Sequence, residues 1–259
     1  MRGPRSASVA VVALIGALAS CAGNAVPQAA DTSAIDTAAT GALNRMGAYL
    51  RTLKAFHVTA NVTTDEVLVD GQRIQLSSLV DMVAHAPNKI RAEVTSDRKQ
   101  RTLFYDGKTF SVWARRSNYY ASVPAPKTIA ELVTVLDEKY GFDFPLVDLF
   151  RWGKSRDDVK DLTSAMDIGP SQVEGVTCEQ YAFRQEGFDW QIWIQQGDYP
   201  LPRKLVLTTL TDEARPQSSV VYTWNLAPSY NDATFAFIAP PDAKRIVLAE
   251  ATVASAEKK

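Results

Sequence analysis

The sequence predicts a mainly β protein: an antiparallel sheet of about ten strands, folded as a sandwich or barrel and interrupted by helices. Three observations predict it. From Phe56 onward, apolar and polar residues alternate in one short run after another, the period-two pattern of half-buried strands. Turn signals separate the runs, among them Asp70-Gly71, Asp106-Gly107, Glu174-Gly175 and Glu186-Gly187. Strands spaced regularly between such turns build sandwiches or barrels. In the middle of the chain the period changes, because apolar residues recur at three- and four-residue steps from Thr128.

The chain opens with Arg2 and Arg5, an apolar run from about Ala7 to Ala19, and Leu18-Ala19-Ser20-Cys21. Charge, short apolar core and small residues are the layout of a secretory signal peptide. A spanning helix needs roughly 20 apolar residues, more than this run supplies. Residues 1–20 are therefore expected to be removed. Residues 21–33 are small and polar and read as a flexible tether of about 20 Å reach. The main domain is expected over 34–248, with a frayed tail over 249–259.

Within the domain, Leu43, Met46, Leu50 and Leu53 share one face of a helix predicted over Ile35–Lys54. Strands are predicted at Phe56–Thr63, Ile74–Val83, Lys89–Val94, Arg101–Tyr105 and Thr109–Arg115, forming a meander with one apolar and one wet face. Ile129, Leu132, Val133, Leu136 and Tyr140 form a helical stripe, with Thr128 as its cap and Gly141 as its stop. Pro145 opens a second short helix reaching Trp152, and a third is expected over 156–165. Strands resume at Ala165–Val173, Val176–Gln185, Asp189–Gln196, Leu201–Thr211 and Ser219–Leu226.

Composition bounds function before any motif does. Hydrophobic content of 46%, charged content of 22% and a net charge of −1 are those of a globular protein without the basic stripe that nucleic acid requires. Of the two cysteines, Cys178 lies in an alternating segment and reads as a small buried hydrophobe rather than a reactive thiol. His57 and His85 stand alone in strand contexts, as surface or rim residues. No HExxH, paired-Cys spacing, calcium loop, GxSxG elbow, phosphate loop or dinucleotide fingerprint occurs. The carboxylate pairs Asp65-Glu66, Asp137-Glu138 and Asp157-Asp158 read as solvated edges. No catalytic residue, metal site or cofactor is therefore assigned.

What stands out is apolar surplus. Trp113, Trp152, Trp190, Trp193 and Trp224 join a sheet that already carries an apolar face. Trp190, Ile192 and Ile194 share one side of their strand, with Trp193 on the other; Val220, Tyr222, Trp224 and Leu226 share a side of theirs. The concave face of a large curved sheet must be filled, capped by helices, or left to hold a ligand.

Leu18-Ala19-Ser20-Cys21 resembles the lipobox of bacterial lipoproteins. That resemblance implies acylation of Cys21 and a membrane anchor through the acyl chains; an ordinary signal peptide with an incidental Cys, or a membrane-anchoring start helix, is the alternative. Ala22 after the Cys implies sorting to the outer membrane. The segments Leu50–Phe56, Pro87–Glu93, Tyr105–Phe110 and Phe235–Pro241 resemble the periplasmic lipoprotein carrier LolA, whose fold the receptor LolB shares. Trp190–Ile194 with Pro200–Lys204, Tyr119-Tyr120-Ala121 and Pro145–Leu149 is similar to a family of predicted bacterial periplasmic proteins, over nearly all of residues 35–248.

The resemblance implies a strongly curved, incomplete antiparallel β-barrel with an N-terminal helix and a central helical lid over an apolar cavity. The carrier has an Arg where this chain has Ala86, so lipoprotein trafficking is not carried over. The expected function is non-enzymatic binding of an acyl chain, lipid or lipoprotein lipid moiety. The expected lining is Phe56, Val58, Val62, Ile90, Leu132, Leu136, Trp152, Trp190, Ile192 and Trp224. A filled-core module that senses envelope stress or binds an envelope protein partner is the alternative, and an enzyme the more remote one.

Overall fold

The alternation that begins at Phe56 becomes β1 (Ala55–Val67), which lies near the middle of a single 12-stranded sheet. The structure is a computed structural model that describes residues 35–152 and 159–251. A first meander runs outward from β1 through β2 (Arg73–His85), β3 (Lys89–Ser96), β4 (Gln100–Tyr105), β5 (Thr109–Ala114) and β6 (Tyr119–Pro124). A second runs from the far edge inward: β7 (Leu162–Val173), β8 (Val176–Gln185), β9 (Phe188–Gln195), β10 (Pro202–Thr209) and β11 (Gln217–Asn225). The two join where β1 pairs antiparallel with β11, for example Val62 opposite Val220. A two-residue strand, β12 (Lys244–Arg245), adds in parallel to β6. β7 and β12 end the order without pairing to each other, so the sheet is unclosed.

Several elements differ from the sequence expectation. Among the described residues the sheet has 12 strands rather than about ten. β6 is short and bounded by Pro124, and β12 is too short to show a period. The third helix expected over 156–165 is contradicted where it is described: from Leu162 the chain is strand, held by β8 through a ladder with register shifts between Leu162 and Ser164. Tertiary pairing overrides a weak local helical pattern there. Residues 153–158 and 1–34, which include Cys21 and the tether, lie outside the described residues.

Helix α1 (Thr37–Thr52) starts where the Asp36 carboxylate accepts the Ala38 N–H at 2.7 Å. It buries Ala39, Ala42, Leu43, Met46 and Leu50 against the sheet. Helix α2 (Ile129–Tyr140) starts where Thr128 Oγ1 accepts the Glu131 N–H at 3.2 Å, and stops at Gly141 in the left-handed conformation, φ 56°. Its Ile129, Leu132, Val133 and Leu136 are buried, each gaining roughly 1.5–3 kcal/mol from leaving water. Helix α3 (Asp148–Arg151) is one turn long, shorter than the Pro145–Trp152 helix expected.

The two longer helices and the inward rows of the strands form one core, in which Val58, Ala60, Met82, Ile90, Ala92, Tyr105 and Phe110 are buried. A smaller cluster of Val173, Cys178 and Trp193 lies apart from it, and the Trp193 Nε1–H donates to Ser171 Oγ at 3.1 Å. Glu250 and Ala251, at the start of the expected tail, are tied to α2. Glu250 pairs with Lys139 Nζ at 2.9 Å, and the Ala251 N–H donates to the Lys139 carbonyl at 2.8 Å.

Candidate functional site

The inward row of each strand changes along its length. On β1, Phe56, Val58 and Ala60 are buried, Val62 is half-buried, and Thr64 and Glu66 are exposed. The helices fill the first stretch and do not reach the second. Above that second stretch runs the segment 142–148, and between it and strands β1, β2, β3, β4 and β11 lies a cavity of about 780 Å³. Val62, Val80, Val94, Leu103, Val220 and Tyr222 supply the apolar wall from the sheet; Phe142, Phe144, Leu146 and Val147 supply it from above.

This cover is held at both ends. The Phe142 N–H donates to the Leu136 carbonyl at 2.9 Å, and the Phe142 ring meets Phe110 edge-on at 5.5 Å. Phe150 packs on Phe144 at 6.1 Å and Phe56 at 6.2 Å, and Arg151 pairs with Asp137 at 2.6 Å. Leu146, between these anchors, has φ 53°, a conformation that costs a non-glycine residue about 1 kcal/mol. At the start of α2 the Ile129 N–H donates to the Pro87 carbonyl at 2.8 Å, and the buried Tyr105 hydroxyl donates to the Pro126 carbonyl at 2.6 Å. Burial pushes the Tyr105 phenol up to about 12. These two bonds seat the start of α2 beside Ala86.

A second cavity of about 250 Å³ lies beside α1, lined by Leu43, Trp152, Trp190, Leu205 and Leu207 among others. Asp148 lines both cavities. Burial raises its carboxyl above the usual carboxylate range; Arg151 pulls the other way and Asp143 adds to the rise.

The residues expected to line one site are divided by the structure. Val62 lines the larger cavity, and Trp152 and Trp190 line the smaller. Phe56, Val58, Ile90, Leu132, Leu136 and Ile192 line neither, because the helices cover that end of the sheet and these side chains pack in the core. Trp224 is half-buried, its ring 5.3 Å from Phe56 and its Nε1–H donated to the Pro202 carbonyl at 2.8 Å. The 142–147 cover and the Val80, Val94, Val220 and Tyr222 wall were missed. Register against Val62 would have pointed to Val220, its direct partner across the strand pair.

Other reactive groups stand elsewhere. The Cys178 thiol is fully buried, and burial pushes it up, away from the thiolate. His57 Nε2 lies 2.9 Å from Asp81 Oδ2. Among the described residues no group of three or more His, Cys, Asp and Glu is placed to hold a metal ion.

A curved, unclosed antiparallel sheet, packed at one end of its face by helices and covered at the other by the segment 142–148 above a partly apolar cavity, is the class that fold and site define. Within it, residues 39–249 match the family of predicted periplasmic proteins (DUF2092), and the chain belongs to that family. No curated protein matches the sequence. Among solved structures it is similar to the lipoprotein LppX of Mycobacterium tuberculosis, at 13% identity and TM-score 0.48, covering 76% of this chain and 100% of that one. LprF of Mycobacterium bovis follows at 11% identity and TM-score 0.44, with 76% and 96% covered. A LolA superfamily protein of Nitrosomonas europaea has 10% identity and TM-score 0.36, with 77% and 97% covered.

Proposed function

We propose that this protein is exported to the periplasm, is anchored to the outer membrane through acyl chains on Cys21, and binds the apolar part of a lipid or acylated molecule without transforming it. The observation that carries the binding is the cavity of about 780 Å³ beneath residues 142–148, about three times the volume of the one beside α1. That size falls within the roughly 300–1,000 Å³ of small-molecule pockets. Each methylene that leaves water on binding contributes roughly 0.8 kcal/mol before the costs of ordering. The family's description as periplasmic supports the address.

Thermal unfolding of the purified protein with and without myristate tests the binding. A ligand that binds only the folded state raises the melting temperature in proportion to its occupancy. Val220→Phe, which places a larger ring in the cavity, is expected to weaken myristate at least about tenfold, or ~1.4 kcal/mol. A melting temperature unmoved by myristate and by every lysolipid tried would remove the proposal. For the anchor, Cys21→Ala is expected to release the protein from membranes, because two or three acyl chains hold stably where one is marginal. A variant that still pelleted after a salt wash would owe its attachment to something else.

A further inference from the structure

The walls of the larger cavity change chemistry toward the strand turns. Level with Val62 and Val220, and just beyond them, come hydroxyls: Ser78, Ser96, Thr64 and Ser218 all line the cavity. Strand register sets them side by side. Ser78 stands directly opposite Val62 on one flank and Ser96 on the other. Thr64 stands opposite Ser218, with their hydroxyl oxygens 3.2 Å apart.

Cations stand beside the hydroxyls: Arg98 and Lys99 at the β3–β4 turn, and Arg101 on β4 directly opposite Val94, line the same cavity. Arg98 is engaged with Glu66 at 3.1 Å, whereas among the described residues the side chains of Lys99 and Arg101 have no ion pair or hydrogen bond. Arg116 adds charge from the neighbouring turn, since its guanidinium donates to the carbonyls of Ser96 and Asp97 rather than to a carboxylate. Four acids also line the cavity: Glu66, which Arg98 holds, Asp97 in the turn itself, and Asp143 and Asp148 on the cover. The sheet side of the cavity therefore offers two uncommitted cations beside a row of hydroxyls, next to the hydrocarbon of Val62, Val80, Val94 and Val220.

Resting on the cavity reading above, we propose that the guest is an amphiphile with an anionic head group, its alkyl tail against Val62 and Val220 and its head held by Lys99, Arg101 and the hydroxyl tier. Charge-assisted hydrogen bonds to such a head group are about twice as strong as neutral ones. They would set selectivity, while the tail sets affinity.

Isothermal titration calorimetry on the full-length protein tests this with three probes: dodecyl phosphate, dodecylphosphocholine below its micelle concentration, and inorganic phosphate. Dodecyl phosphate is expected to bind about tenfold tighter than dodecylphosphocholine, a difference of ~1.4 kcal/mol. Inorganic phosphate is expected to bind far more weakly. Lys99→Gln/Arg101→Gln is expected to bind the two alkyl probes alike, and the charge-retaining Arg101→Lys to keep the preference. Equal affinities in the wild type, or a preference that survives the double substitution, would overturn the inference and leave the cavity reading standing. Inorganic phosphate binding as tightly as dodecyl phosphate would overturn it too, by showing a plain anion site. If neither alkyl probe bound, the cavity reading itself would fall and this inference with it.

Discussion

Asp148 sits where a carboxylate is least welcome, on the walls of both cavities and next to Tyr222 in the pull of charges. Its carboxyl is raised by burial, so between the unfolded and folded values the native state holds more protons than the unfolded one. Stability from this group is therefore present at low pH and lost as pH rises through that window. Asp148→Asn is expected to melt above the wild type at pH 7, with the gap narrowing as pH falls toward 3. An Asn variant that melts lower at pH 7 would mean the charge is satisfied. Single residues were unevenly legible. The alternation around Cys178 marked it as buried, and it is. Nothing local to Val62 distinguished it from Val58 four residues earlier, although only one of the two lines a cavity. The difference is how far the helices reach, which no strand residue encodes.

At the scale of elements, α2 was readable because its signals are local and agree: an apolar stripe that is buried, and a Thr cap and a Gly stop that each make a hydrogen bond to the backbone. Thr128→Ala removes the acceptor of the Glu131 N–H and is expected to cost about 1 kcal/mol in urea unfolding. No change would mean that the Ile129–Pro87 backbone bond seats the helix unaided. The antiparallel strands other than β6 were legible through their apolar–polar alternation. β12 was not, because its two residues pair with β6 through register alone. The start of β7 was misread because its bulged, irregular pairing with β8 breaks the period that would have announced a strand.

For the molecule as a whole, the apolar surplus said that the sheet must cover something, but not whether helices or a ligand would fill the space. The structure divides that space. Helices α1 and α2 pack one end of the concave face, and the segment 142–148 spans the other without filling it. The expected lining residues were drawn from the whole concave face, so they fell in both parts. The central claim is that an apolar chain enters the space beneath 142–148. Photocrosslinking with a diazirine-bearing fatty acid, followed by mass spectrometry of the labelled peptides, tests it most directly. Labels are expected on residues 142–148 and on β1 and β11 near Val62 and Val220, and excess myristate should compete them away. Labels confined to the Trp193 and Cys178 side of the sheet, or labelling that myristate leaves unchanged, would contradict it.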